Sequence, residues 1–391
     1  LAGGTRGHAD LCAYFLLRNL SIAPGRRTGI IATNTIAQGD TREVGLDRAT
    51  ADGWMVYRAI KSQPWPGTAA LEVSLLWLGG SIQDGEMPVL DGRRVRAITP
   101  NLDPATRVVG QPFRLVANEN QSFQGSIVLG MGFVLSPEDA QRLISKDPRN
   151  EDVLFPYLNG EDLNQRPGAQ ASRWVINFHD WPEERAAEYT DVFTIAEREV
   201  KPVRQRKKDD GTYVLRKPLP QRWWQYADKR PNLLAAIEGL EQVIAITLVS
   251  RTVMPVRVSA NQVLAHKLGV FATDSTAQLA ILSSSFHTAW AWKNSSTMKA
   301  DLNYSPSDVY ETFPRPVETA RLAIAGEAVE KAQRATMTTR GIGLTTAYKL
   351  VHTVSETDPD IEALRQAHVE VDRAVAEAYS WLDLDLEHGF H

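Results

Sequence analysis

One cysteine, Cys12, stands in the 391 residues. A lone thiol makes no internal disulfide and no thiolate metal cluster, so disulfide-framed, zinc-thiolate and iron–sulfur readings are set aside. No run of about 18 uninterrupted apolar residues occurs, which leaves no candidate membrane-crossing helix. Residues 1–6 lack the basic-then-apolar order of a secretory signal, and a cytoplasmic location with no membrane partner is the expectation. There is no internal repeat and no low-complexity tract, against solenoids and disordered arrays. His287 has aromatic neighbours at Trp290 and Trp292 but no second His, Asp or Glu at ligand spacing on its helix face. No metal site is expected, and His287 reads as structural. No acidic residue followed by a Glu-x-Lys pattern stands out in a strand pair, so no nuclease activity is assigned.

What is present is a chain long enough for two or three cores. Its net charge of -4 argues against a uniformly basic nucleic-acid binder, but a total averages over domains and hides local patches. The first residue is not Met, and the last three, Gly389, Phe390 and His391, stop inside a stretch that reads as continuing structure. Both ends are read as cut points in a longer protein.

Residues 9–19 have a helical pattern with Leu11, Phe15 and Leu16 on one side, stopped by Ala23-Pro24-Gly25. Gly29-Ile30-Ile31-Ala32-Thr33 is a short apolar run of the kind buried on both faces of an α/β sheet. Strands at 54–60 and 71–78, separated by a turn over 64–67, continue an alternation that predicts a sheet covered by helices. Gly3, Gly4 and Gly7 resemble a phosphate loop only loosely, since the Gly-Lys-Ser/Thr ending is missing, and a flexible lead-in is the better reading.

From about residue 82 the chain is punctuated by Gly, Pro and Asp, with irregular strands at 126–135 and 174–178. A helix is expected over 182–200, capped near Asp180 or Trp181, and strands at 243–249, 253–258 and 269–272 precede a helix over 276–292. Beyond Pro316 the sequence is helix-rich, with 318–336 and 360–379 as the strongest helices, the second led by Asp358-Pro359.

The segment 201–231 holds ten basic residues, Lys201, Arg204, Arg206, Lys207, Lys208, Arg216, Lys217, Arg222, Lys229 and Arg230, against three acidic ones. Such a surplus suits phosphate contact, because neutralising phosphates releases counterions. Trp223, Trp224 and Tyr226 lie in the same segment. They are either flat surfaces for stacking on sugar or base, or core anchors of a solvated loop. Arg251, Thr252, Met254 and Arg257 sit in or beside a strand pair, where alternate side chains share one face. They are either groove readers, with Arg matched to guanine and Met or Thr to a thymine methyl, or ordinary outward residues of a sheet.

Three segments near the start, Asp10-Leu11-Cys12-Ala13-Tyr14-Phe15, Gly29-Ile30-Ile31-Ala32-Thr33-Asn34 and Gln38-Gly39-Asp40-Thr41-Arg42, together resemble the N6-adenine DNA methyltransferases fused to restriction enzymes or found in phage-defence systems. Further likeness runs through Ser250-Arg251-Thr252, Asn261-Gln262-Val263, the Leu282–Trp290 stretch with its Ser-Ser and His287, Asn303-Tyr304-Ser305 and Thr312-Phe313-Pro314. The tail matches at Leu364-Arg365, Asp372 and Ala378-Tyr379-Ser380-Trp381, where Ser380 departs from the family's usual Gly.

The resemblance implies an S-adenosylmethionine-dependent enzyme acting on double-stranded DNA. The donor-binding and Asn-Pro-Pro-aromatic motifs of that family are not in this chain. It also implies that Asp10, Tyr14 and Phe15 border the donor or target-base pocket; read from the helix alone, the two aromatics are core residues and Asp10 is a cap. The fold class expected is α/β plus mixed α+β: a partial Rossmann-like methyltransferase domain at 1–80, a target-recognition domain at 81–316 and an α-helical tail at 317–391. The alternative is a stand-alone DNA-specificity module without catalytic activity.

Overall fold

The computed structural model describes residues 9–22, 26–69, 71–81, 86–105, 112–298, 301–386 and 388–390, so the glycines at 3, 4 and 7 lie outside the described residues. The chain packs as two units, Leu1–Phe113 with Trp292–Asp308, and Arg114–Ala291 with Val309–His391. These divisions differ from boundaries at 80 and 316. The first unit runs on to Phe113 and takes in a later segment, and the helical tail shares the core of the second unit.

In the first unit, α1 (Leu11–Ile22) precedes β1 (Thr28–Thr33), β2 (Met55–Pro64), β3 (Glu72–Gly79), β4 (Val89–Leu90) and β5 (Arg93–Arg94). The sheet order is β1-β3-β2-β4-β5. β3 runs antiparallel to both neighbours, pairing Leu75 with Ile31 on one side and Ile60 on the other, while β4 is parallel to β2. The β2–β3 hairpin is where the sequence put it. β1 is not buried on both faces: it is the edge strand of this sheet, and Ile31 is 60% exposed. α1 likewise turns differently from the expected face. It buries Ala13, Leu16, Leu17 and Leu20, a spacing of three, one and three that follows one helical stripe, and leaves Leu11 and Phe15 in solvent.

In the second unit, one antiparallel sheet takes the order Val256–Ser259, Gln242–Thr247, Leu268–Phe271, Ser122–Gln124. Another takes the order Val263–Leu264, Leu154–Leu158, Arg173–Ile176, Val134–Leu135, of which only the first pair is parallel. A continuous apolar core joins the first of these sheets to the helices Thr276–Ser283, Ala320–Arg340, Leu344–Val351 and Pro359–Ala378.

The long tail helices start and stop for local reasons. Thr319 accepts a hydrogen bond from the Leu322 amide, Pro359 occupies the first turn of its helix, and Gly341 ends the first helix with φ +63°. Gly326 permits a close contact between two helices, since a Cβ there would lie 1.8 Å from the Thr276 carbonyl oxygen.

Two expected helices are broken. The one expected over 182–200 is two, Glu183–Ala187 and Thr190–Glu199, interrupted at Tyr189 (φ -88°, ψ 61°), and Pro182, not Asp180 or Trp181, stands at its start. The one expected over 276–292 is interrupted at Ser284 (φ -71°, ψ 155°), whose hydroxyl bonds back to the Ile281 carbonyl and receives the His287 amide. The serine side chain satisfies both backbone groups, so the break is inexpensive. Leu344–Val351, not foreseen, is a short amphipathic helix inserted between the two long ones.

Candidate nucleic-acid interface

The three resembling segments of the first unit meet around Asp10. Its amide donates to Thr41 Oγ1 at 3.0 Å, its carboxylate accepts from Thr33 Oγ1 at 3.3 Å, and the same carboxylate receives the Cys12 amide at 3.4 Å. Asp10 therefore ties the start of α1, the end of β1 and the helical turn Gly39–Arg42 together. That helical turn begins on a glycine, Gly39, with φ +46°. Tyr14 is half-buried against the core, whereas Phe15 is 64% exposed and belongs to no described core.

The same turn lines a cleft of 520 Å³, in which Gln38, Gly39 and Arg42 face Lys61, Asn101 and Asp103. Arg42 is held by Asp47 at 3.1 Å, Lys61 pairs with Asp103 at 2.5 Å, and Ser62 donates to Glu72 at 3.0 Å. The lining thus alternates cations, carboxylates and amides, a set that fits a polar, hydrogen-bonding partner. Lys61, Asn101 and Asp103 were missed in the sequence. They come from positions far from the turn in sequence, and no local pattern marks them.

In the second unit the basic segment divides in two. Arg206, Lys207, Lys208, Arg216, Lys217 and Arg222 are all exposed, and no ion pair involving them occurs among the described residues. Residues 206–214 form a small hairpin: Val214 N donates to the Arg206 carbonyl, Lys208 N to the Thr212 carbonyl, and Lys207 Nζ lies 5.5 Å from the Tyr213 ring centre. Three of the six displayed cations stand on this hairpin and three, Arg216, Lys217 and Arg222, on the segment that follows it; together they are the arm.

Arg204 is different. It is 1% exposed, and its guanidinium donates to the carbonyls of Val128 (2.8 Å), Leu129 (2.8 Å) and Gln225 (3.1 Å). Burial pushes its pKa down to about 10. The phosphate contact expected of Arg204 is corrected: its donors are spent on backbone oxygens inside the fold. Lys201 and Lys229 are paired with Glu197 and Asp180, and Arg230 with Asp228. The aromatics following the arm are anchors. Trp223 Nε1 donates to Glu183 at 3.2 Å and Trp224 Nε1 to the Trp181 carbonyl at 2.9 Å, both from buried rings, and Tyr226 packs edge-on to Phe133. The stacking reading is thereby corrected to the core-anchor one.

Of the groove readers, Arg257 and Met254 are also turned inward. Arg257 Nε lies 3.2 Å from Glu330 of the tail helix, and its Nη1 donates to the Asp274 carbonyl at 2.7 Å. Met254 packs against the tail core. The expected strand over 253–258 begins only at Val256, so the alternation that placed these side chains on one face does not operate before it. Arg251 remains exposed, and Thr252 is half-buried with its amide on Ser250 Oγ.

Asn261 and Gln262 border another cavity, of 350 Å³, together with Trp181, Lys229 and Tyr226. The Tyr226 hydroxyl is buried without a hydrogen-bond partner. His287 is fully buried, its Nδ1 2.7 Å from the Leu282 carbonyl, and burial lowers its pKa to about 4. A neutral, packed imidazole is the structural histidine that the sequence implied. Among the described residues no cluster of His, Cys, Asp and Glu has the arrangement of a metal site, and no helix is long and apolar enough to cross a membrane.

Comparison with known proteins places this architecture. A solved structure of the type IIL restriction-modification enzyme MmeI in complex with DNA superimposes with a TM-score of 0.74 at 18% identity, over 98% of this chain and 51% of that one. The chain thus spans about half the length of that enzyme and shares its fold. No curated protein matches. The family described as "MmeI, target recognition domain" matches residues 116–317, more than half of the chain. The chain therefore belongs to the MmeI target-recognition-domain family.

Proposed function

We propose that this chain is the DNA-reading part of a site-specific adenine-N6 methyltransferase of a restriction-modification or phage-defence system, acting in the cytoplasm on double-stranded DNA. The first unit supplies the end of its Rossmann-like methyltransferase domain. The observation that carries the reading is the arm of Arg206, Lys207, Lys208, Arg216, Lys217 and Arg222, six cations without ion pairs among the described residues, displayed by a chain of net charge -4 that belongs to a target-recognition family. A local cationic surplus of this kind neutralises phosphates and holds a duplex in place without reading it. Sequence reading is then the work of side chains at the base edges, and Arg251 is the exposed member of the set proposed for it.

Methylating an exocyclic amine requires the base to leave the stack. S-adenosylmethionine supplies the methyl group in the full-length enzyme. The part of this chain is to bind and orient the duplex. The edge strand β1 and the exposed Leu11, Phe15 and Ile31 beside it support a sheet that continues further in the whole enzyme. Mapping methylated adenines in DNA from cells expressing the full-length protein tests the reading. Methylation at one recurrent motif is expected, and unmodified adenine throughout, with duplex binding retained, leaves a specificity module without catalysis.

A further inference from the structure

We infer that the Leu129-Gly130-Met131 turn is a second DNA contact, an apolar tip pressed into a groove of the duplex whose phosphates the cationic arm holds; this rests on the DNA-binding reading of that arm. Met131 is 71% exposed, Leu129 45% and Val203 63%, and all three border one shallow groove of 480 Å³. Three large apolar side chains gathered at the rim of one groove mark a candidate contact surface.

The turn is also held against its own preference. Leu129 has φ +51° and Gly130 φ +141°, and a leucine keeps a left-handed backbone only where its surroundings impose it. Arg204 imposes it. Its buried guanidinium grips the Val128 and Leu129 carbonyls, sits 5.5 Å from the Phe133 ring centre, and ties both to the Gln225 carbonyl. On the other side Gly132 lies so close to the end of the helix Thr190–Glu199 that a Cβ would come within 2.7 Å of Glu199 Cβ. A buried charge is costly, and here it fixes a turn whose apolar tip stays outside.

The arm starts two residues after Arg204, so one side chain sets the root of the cations and the shape of the tip together. A polyanion is the partner this pairing fits. Leu and Met wedges that enter the minor groove work beside Lys and Arg on the flanking phosphates. A protein partner would have to bring its own unmatched acidic surface to meet the six cations.

Methionine oxidation by dilute peroxide tests the tip, read by peptide mass spectrometry on the whole chain, alone and saturated with a mixed-sequence duplex. The duplex is expected to slow oxidation of Met131 by about tenfold, and Met131→Ala to weaken binding by about the same factor, the scale of one buried apolar side chain. The salt slope stays unchanged in Met131→Ala, since an apolar contact releases no counterions, whereas Gln at 206, 207 and 208 flattens it. Equal oxidation of Met131 with and without saturating duplex, in a chain whose slope responds to the arm variant, overturns the tip and leaves the arm standing. A chain that binds no duplex, or a slope indifferent to the arm variant, overturns both. Protection of Met131 that rises with protein concentration in the absence of DNA makes the patch a self-association surface and also overturns the inference.

Discussion

Tyr348 and His368 share a 2.7 Å hydrogen bond between the phenol Oη and the ring Nε2, both side chains buried where two tail helices pack. Gln333 donates to the same Oη at 3.2 Å, so the phenol proton goes to a neutral imidazole. Burial is the main cause that lowers His368 to a pKa of about 4, with the nearby Asp372 opposing the shift.

His368 and His287 make the second unit sensitive to acid. Both are neutral in the fold, with pKa values of about 4, and protonate near 6.5 once unfolded. The unfolded state then binds more protons between those values, so stability is full above about pH 6.5 and falls as pH drops towards 4. The loss is on the order of 3 kcal/mol for each histidine. Urea unfolding between pH 7.5 and 4 reads it, and His368→Gln is expected to reduce the pH dependence.

Arg204→Met is expected to destabilise the chain by about 2–4 kcal/mol, because it leaves the Val128, Leu129 and Gln225 carbonyls without their guanidinium donor. Arg206→Met, on the exposed arm, is expected to change stability by less than about 0.5 kcal/mol. A pair of urea titrations separates the two. Similar midpoints for both variants would show that the buried guanidinium has no structural role.

Replacing Arg206, Lys207, Lys208 and Arg216 with Gln is expected to weaken binding to every duplex, and to reduce the slope of log K against log salt by up to about 0.9 for each phosphate no longer neutralised. Fluorescence anisotropy over a salt series measures this. Specific and non-specific duplexes should suffer alike.

Gly326→Ala places a methyl group 1.8 Å from the Thr276 carbonyl oxygen, at backbone that has no flexible end to give way. A destabilisation of roughly 1–3 kcal/mol is expected from the overpacking, or more if the helices must part. Thermal unfolding of the variant checks it.

Arg251 and Arg257 are expected to separate. In the full-length enzyme Arg251→Ala should relax one position of the methylated motif by roughly 1–3 kcal/mol of discrimination. Arg257→Ala should leave the motif intact and lower stability by about 1–3 kcal/mol, since its guanidinium is engaged by Glu330 and the Asp274 carbonyl. Sequencing the methylated sites of each variant decides. A motif altered by Arg257→Ala alone would reverse the assignment.

Local physics made much of this legible in the sequence. The β2–β3 hairpin follows from two β-rich runs around a Pro-Gly turn, the helix Pro359–Ala378 from a proline in its first turn, and the displayed arm from a local surplus of cations. The likeness of Asp10, Thr33 and Thr41 to one family became, in the fold, a set of hydrogen bonds among three elements. Tertiary structure decided what each residue is free to do. Composition counts Arg204 and Arg206 alike, yet one is sealed against Leu129 and the other stands in water. Arg257 is withdrawn from any base by Glu330, 73 positions away. Periodicity cannot carry such information, because a side chain's availability depends on partners brought to it by packing from distant parts of the chain. The left-handed Leu129 is the clearest case: nothing local favours that backbone, and the buried guanidinium of Arg204, 75 positions away, bonds its carbonyl.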